Sequence, residues 1–329
     1  MRATRFLLGS ALLVAVPWIV AAALPGQQRY VLHVLIFTAL YGALALSYDL
    51  VVGHVGSLSL AHPAFFGLGA YTVALLATEA RWPFAAALPA GIGLAAVVAL
   101  AVGVPMFRLT EHSFAMGTLG FTIVTQVVAT NWVDFTHGPL CVTGIPKPQV
   151  GALRITSLPA FYWMGLATVG LVALLYRGLT TFRLGRAFHA VRDNETLAAA
   201  ASIDPLKYRM LAFVIGGGLA GLSGALLVGF ITAWAPGSWN YAETFVYITA
   251  VIVGGFGSNL GVIIGVLLVP IVFGEMTRFL PDIGQAGWIE AGQLIAYGVL
   301  TLAFLWFRPR GVFPERRVRY GRPRGGAPP

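Results

Sequence analysis

Charge is scarce in this chain: only 10% of its 329 residues are Asp, Glu, Lys or Arg, where a soluble domain carries roughly 25%. With 58% hydrophobic residues beside that shortage, a soluble globular fold is excluded. There is a single cysteine, Cys141, which rules out an internal disulfide and a thiolate metal cage. No GxxxxGKS/T stretch occurs, so the chain lacks a phosphate cradle and does not hydrolyse ATP by itself. Energy for any transport then comes from a partner or an ion gradient. The six histidines, His33, His54, His62, His112, His137 and His189, fall into no HExxH or other ligand spacing, and each reads as an interfacial polar residue rather than a metal ligand. No acid, base and nucleophile assemble into a catalytic set, so an enzyme is not expected.

What the chain does have is long apolar runs. Spans are expected over residues 6–24, 30–52, 60–78, 84–106, 113–132, 161–176, 208–233, 243–255, 260–280 and 288–307, which makes about ten transmembrane helices in an all-α, polytopic membrane protein. The first run follows Arg2 and Arg5 and also fits a signal peptide, with Ala21-Ala22-Ala23 as a cleavage site, but its length favours an uncleaved span. Residues 243–280, interrupted by Gly254, Gly255, Gly257 and Ser258, read as two spans or as one broken one.

The formal net charge of +9 does not point to nucleic acid, because the basic residues sit in short loops and at the ends rather than on one polar face. Ten spans with the 177–209 loop inside place sixteen of the 21 basic residues in the cytoplasm and five outside. That is the asymmetry expected of membrane orientation, and it puts both chain ends in the cytoplasm. The tail, residues 315–329, reads as a disordered basic extension attracted to anionic lipid.

Residues 185–226 hold a polar stretch between apolar runs. Asp193 is placed to cap a helix start, its carboxylate accepting from the unpaired first-turn N–H groups. Asp204-Pro205 stops that helix and caps the next, which begins at Pro205. The helix expected over residues 194–202 is about 13 Å long, far short of the ~30 Å hydrocarbon core, and so lies outside the membrane. Ala198 to Ala201 give it a thin apolar face that a partner protein can approach, with Arg192, Asp193 and Glu195 at one end. A surface helix in a connecting loop has the same anatomy.

Arg192-Asp193-Asn194-Glu195, the alanine run, Ser202-Ile203, Lys207, Leu211-Ala212-Phe213 and Leu219 to Ala225 resemble the cytoplasmic coupling loop of ABC importer permeases, and most closely those of the branched-chain amino acid systems. Arg108-Leu109, Phe114 to Phe121, Asn131-Trp132, Gly138-Pro139 and Gly144-Ile145-Pro146 resemble the second, M-type permease of those systems, so the likeness runs from about residue 41 to 314. Two positions depart from the pattern: Ala199 stands where glutamate is usual, and Ser202 where glycine is usual.

The resemblance implies a single permease domain over residues 1–314, in the bacterial inner membrane, belonging to an ATP-driven, binding-protein-dependent importer of branched-chain amino acids. It implies four further subunits as partners: a second homologous permease, two ATP-binding subunits and a periplasmic substrate-binding protein. ATP–Mg would belong to those ATPases, and no cofactor or metal to this chain. The ATPase-coupling residues it implies are Arg192, Asp193, Asn194, Glu195, Ala198, Ala199, Ala201, Ser202, Ile203 and Lys207. Urea, short amides or other amino acids remain open as substrates. An ion-coupled secondary transporter is the alternative class, but it needs ionisable residues near mid-membrane, and these are scarce.

Two further features stand out. Val52-Gly53-His54-Val55-Gly56-Ser57 recurs as Val253-Gly254-Gly255-Phe256-Gly257-Ser258, each between two apolar runs. Glycines with hydroxyls at a span end open the backbone where it lines a path, which makes Gly53, Gly56, Ser57, Gly254, Gly257 and Ser258 candidates, and a tight surface turn uses the same residues. The loop over residues 133–159 is rich in turn residues, with Leu153-Arg154-Ile155 as a short strand or extended chain, and is longer than a connector requires. The acids Asp49, Glu243, Glu275 and Glu290 lie close to span ends; interface residency is expected for all but Glu275, the deepest.

Overall fold

The computed structural model describes residues 15–22, 26–150, 153–239, 241–259, 261–268, 286–308 and 311–312. Lipid offers the backbone no hydrogen-bond partners, so an apolar run satisfies itself as a helix. The helices are α1 (Gln28–Asp49), prolonged by a π-helical turn at Leu50–His54, α2 (His62–Thr78), α3 (Phe84–Met106), α4 (Glu111–Asn131) and α5 (Leu158–Thr181). They continue as α6 (Arg183–Asp193), α7 (Glu195–Ala200), α8 (Pro205–Ile231), α9 (Tyr241–Gly254) and α10 (Ala286–Phe307). Among the described residues, five helices are long and apolar enough to cross a membrane: Gln28–His54, α3, α4, α5 and α8. The molecule is an all-α, polytopic membrane protein. The beginning of the first expected span, Glu275 and the 315–329 tail lie outside the described residues.

α8 is the centre of the bundle. Of its most apolar window, 83% is buried, against 22% in α4, which lies at the edge. The glycines of α8 explain how a helix can be so enclosed. A β-carbon on Gly217 or Gly221 would stand 2.7 or 2.6 Å from the methyl groups of Ala99 and Ala95 on α3, and one on Gly224 would overlap the Phe66 backbone of α2. Gly217 and Gly221, four residues apart on one face, are thus a packing device.

The start of α2 is unwound. Between Gly56 and His62 the chain is not helical, yet Leu60 lies against the middle of α4, roughly 10–17 Å along that helix from its start. Thr118 Oγ1 accepts from the Leu60 N–H at 3.0 Å, and Thr122 Oγ1 donates to the Leu60 carbonyl at 2.7 Å. Two side chains from one helix therefore replace the ladder that an unwound peptide has lost.

After α9 the chain reverses at residues 255–258 and returns as helical residues 261–268. Gly261 faces Gly254, and Gly265 faces Ala250, so the two segments run antiparallel in close contact. Ser258 Oγ accepts from the Gly261 N–H at 3.2 Å and caps the returning helix. Residues 243–268 are thus two helices joined by a tight turn, not one broken helix.

The opposite end of the bundle carries the 133–159 loop, which folds onto the chain rather than hanging from it. β1 (Val142–Thr143) pairs antiparallel with β4 (Ala233–Trp234), and β2 (Gln149–Val150) with β3 (Leu153–Arg154). His137 meets Glu79 at the end of α2, at 2.8 Å, and the Ile145 N–H donates to Thr232 O at 3.3 Å. Trp234 and Trp239 are buried beneath it.

Candidate functional site

The polar stretch that follows α5 folds into two helices where one was expected. Leu184, Ala187, Phe188 and Val191 recur at helical spacing along α6, and that pattern was available in the sequence. Phe188 and Val191 are buried with Leu50, Val55, Tyr176, Ala198 and Ala212, a small apolar core of their own that fixes the loop to the ends of α1, α5 and α8. Asp193 closes α6 instead of capping the next helix. Asn194 is that cap: its side chain accepts from the Leu197 N–H at 3.0 Å, and α7 is shorter than the expected 194–202. Asp204 caps α8 as anticipated, accepting from the N–H groups of Leu206 and Lys207 at 3.0 and 3.3 Å. Ser202 sits at φ 64, in the left-handed region where glycine is unstrained and a side chain is not, which gives the usual glycine at this position its physical reason.

These helices turn several of the expected coupling residues inward. Ala198 is 3% exposed and packs on its own bundle, so it is not the approach surface for a partner. Leu197, at 67% exposed, and Ala199, Ala200 and Ala201 face outward. Glu195 pairs with Arg209 of α8 at 3.0 Å. Ile203 is half-buried against the small core, and Lys207 is exposed.

Arg192 reaches beneath the loop and donates from Nη1 to the Gly53 carbonyl. The carbonyls at a helix end lack intrahelical partners, and a cation there also complements the dipole, so Arg192 acts as a C-terminal cap of α1. Gly56, at φ 78, ends that helix and lets the Ser57 N–H turn back to Val51 O at 3.2 Å. A β-carbon on Gly56 would come within 3.1 Å of Arg192 Cγ, so the loop lies directly on the turn.

Below Arg192 is Asp49. It was expected at the interface, but it is 0% exposed. Tyr176 of α5 donates its hydroxyl to one carboxylate oxygen, and the Gly257 N–H lies 3.1 Å from both. His54, also buried, places Nδ1 3.0 Å from the same hydroxyl, and its ring lies 5.0 Å from that of His189 on α6. The histidine expectation is corrected at His54 and at His62, both of which are interior.

The two glycine motifs therefore meet. A β-carbon on Gly53 would stand 3.0 Å from Gly257 N. Gly56 and Gly257, at the same place in each motif, share the left-handed conformation at φ 78 and φ 74. Gly254 and Ser57 are buried, and Ser258 is a helix cap. Sequence reading placed Tyr176 only at a span end and His189 only at the interface, and gave neither a role at this site. Glu243 and Glu290 fall within α9 and α10. Among the described residues no group of His, Cys, Asp and Glu is arranged to hold a metal ion. The arrangement can carry a displacement: an exposed short helix, a packed loop and a charged contact into the bundle are joined in series.

Residues 30–304 match the model of a family described as branched-chain amino acid transport system / permease component. The chain is 28% identical to the high-affinity branched-chain amino acid transport system permease protein LivM of Escherichia coli K12, over 91% of this chain and 74% of that one. It is 26% identical to the probable branched-chain amino acid transport permease protein LivM of Methanocaldococcus jannaschii, over 77% and 79%. It is also 26% identical to the permease protein LivH of E. coli K12, over 84% and 92%. No solved structure matches.

Proposed function

The chain belongs to the branched-chain amino acid transport permease family, and from that membership we propose that it is the membrane subunit of an ATP-driven, binding-protein-dependent importer of branched-chain amino acids. The match over residues 30–304 carries this reading. The full chain has about ten spans with both ends cytoplasmic, residues 1–314 as one domain and 315–329 as a basic tail at the inner membrane surface. Similarity to both LivM and LivH supports pairing with a second related permease.

Two ATP-binding subunits supply the energy that this chain, without a phosphate cradle, does not, and they dock on the outward face of α7 with Arg192, Asp193, Asn194, Glu195, Ala199, Ala201, Ser202, Ile203 and Lys207 in or beneath the contact. Asp204 and Pro205 make the start of α8 stiff, so a push on α7 reaches the centre of the bundle. The glycine turns at Gly53–Ser57 and Gly254–Ser258 lie at the cytoplasmic end of the path that this motion opens.

The permease, co-expressed with candidate ATPases, a second permease and a receptor and reconstituted in vesicles, is expected to take up labelled leucine, isoleucine or valine only with ATP inside and receptor outside. Uptake by the lone chain on an ion gradient would refute the assignment. Uptake of urea or an amide in place of leucine would keep the class and change the substrate.

The folded 133–159 loop is proposed to receive the periplasmic receptor. Its strand pairing with Ala233–Trp234 joins it to the far end of α8, the same helix the coupling loop drives. Replacing the exposed Leu140 by Asp is expected to weaken receptor stimulation of ATP hydrolysis by about tenfold, as a truncated contact of 1.4 kcal/mol would, while basal hydrolysis stays unchanged. Unchanged stimulation would make the loop a cap only.

A further inference from the structure

Asp49 stands at a junction that the family match does not describe. Its carboxylate ties its own helix α1 to two distant parts of the chain: Tyr176 on α5, and the Gly257 N–H in the turn after α9. One turn further along α1, the Gly53 carbonyl takes the Arg192 guanidinium from the coupling loop. Asp49 and Gly53 are four residues apart and so share a face of α1. The chain of contacts therefore runs from the loop, through Arg192 and the end of α1, to Asp49, and from Asp49 across to the second glycine turn.

A buried carboxylate is costly unless its oxygens are satisfied, and at this one a hydroxyl and a backbone N–H donate. Such a group holds its donors in register: if the end of α1 moves, the Gly257 turn must follow or a buried charge loses its partners. Apolar contacts between the two turns would slide instead. The glycines fit this reading, because a side chain at Gly53 would collide with Asp49 and drive the turns apart.

We infer that Asp49 is the positioning residue that makes the two glycine turns move as one body when the coupling loop is displaced. The inference rests on the proposed ATP-driven import and adds which residue transmits the stroke within this chain. Because Asp49 is buried at the base of the loop and Leu197, on the docking face, is exposed, its removal acts on transmission and not on docking.

The test uses the reconstituted complex and reads ATP hydrolysed per leucine taken up. Asp49→Asn keeps the size and one acceptor oxygen but loses the charge; the complex is expected to assemble and hydrolyse ATP while ATP consumed per leucine rises about tenfold, within the usual range of coupling effects. Tyr176→Phe removes only one donor and leaves the aromatic ring in place, so it is expected to move the ratio in the same direction by about threefold, and it serves if Asp49→Asn does not accumulate. A purely structural role would lower assembly, hydrolysis and uptake together and leave the ratio at its wild-type value. That result in both variants overturns the inference. A wild-type complex without ATP-driven uptake removes the premise itself, an outcome distinct from an unchanged ratio in the variants.

Discussion

Leu197→Arg is expected to separate the permease from its ATPases while leaving the permease intact. Leu197 is 67% exposed on α7, on a short helix held in place from below by Phe188, Val191 and Ala198. An apolar side chain that stays in water when the chain is alone is available to a partner, and fully burying a leucine contributes roughly 1.5–3 kcal/mol. Arginine forfeits that and brings a charge into the contact without a counter-charge supplied for it, so the loss is expected to exceed 2 kcal/mol, the scale of an interface hot spot. Measured as ATPase recovered with a tagged permease, retention falls by more than about thirtyfold. Permease abundance in the membrane is expected to stay at the wild-type level, because Leu197 contributes little to the chain's own packing. Ala198→Trp makes the opposite case. Ala198 is 3% exposed, and an indole does not fit there, so that variant tests folding of the loop and says nothing of docking. Normal ATPase retention in Leu197→Arg would place the contact elsewhere.

Gly53→Ala is expected to abolish uptake. The added methyl would stand 2.8 Å from Asp49 Cγ and 3.0 Å from Gly257 N. One obstacle is a side chain held by Tyr176 and Gly257, the other is backbone, and neither can swing away. Overpacking of this kind costs about 1–3 kcal/mol and is relieved only by separating the two turns. Thermal unfolding of the purified chain should move down by several degrees, and uptake should be lost. Gly93→Ala is the control: a β-carbon there meets nothing within 4 Å, so uptake is expected to be unchanged and stability unchanged or slightly raised, since Ala suits a helix interior better than Gly. Wild-type uptake in Gly53→Ala would mean that the turns do not need their close approach.

What the sequence revealed here was what depends on neighbours a few residues apart. The α3 boundaries coincide with the expected 84–106, and the Asp204 cap with Pro205 behind it folds as its chemistry dictates. Asp49 was misplaced because its environment comes from Tyr176 and Gly257, 127 and 208 residues away, and no local pattern carries such pairings. The helix expected over 194–202 forms as the shorter Glu195–Ala200, and the α6 helix before it was not anticipated: both Asp193 and Asn194 are good caps, and which of them starts α7 is decided by α6, whose apolar positions alternate with charged ones. Ala198 turned inward because a helix this short has one face against its support, and an alanine run does not say which. In the 133–159 loop, turn residues were legible, whereas pairing of Val142–Thr143 with Ala233–Trp234 was not.

The clasp of Thr118 and Thr122 on Leu60 limits how the bundle can flex. The unwound Leu60 peptide is partly buried without a helical ladder, and each of its groups left unpaired would cost about 1–3 kcal/mol. The start of α2 and the middle of α4 are accordingly one mechanical part, although sixty residues of chain separate them. A cycle of opening and closing has to choose its seams among boundaries that can part at less expense, those where methyl and methylene surfaces merely touch. Counting helices therefore overstates the number of independent pieces. The permease has fewer hinges than spans, and its hydroxyl side chains mark where they are not.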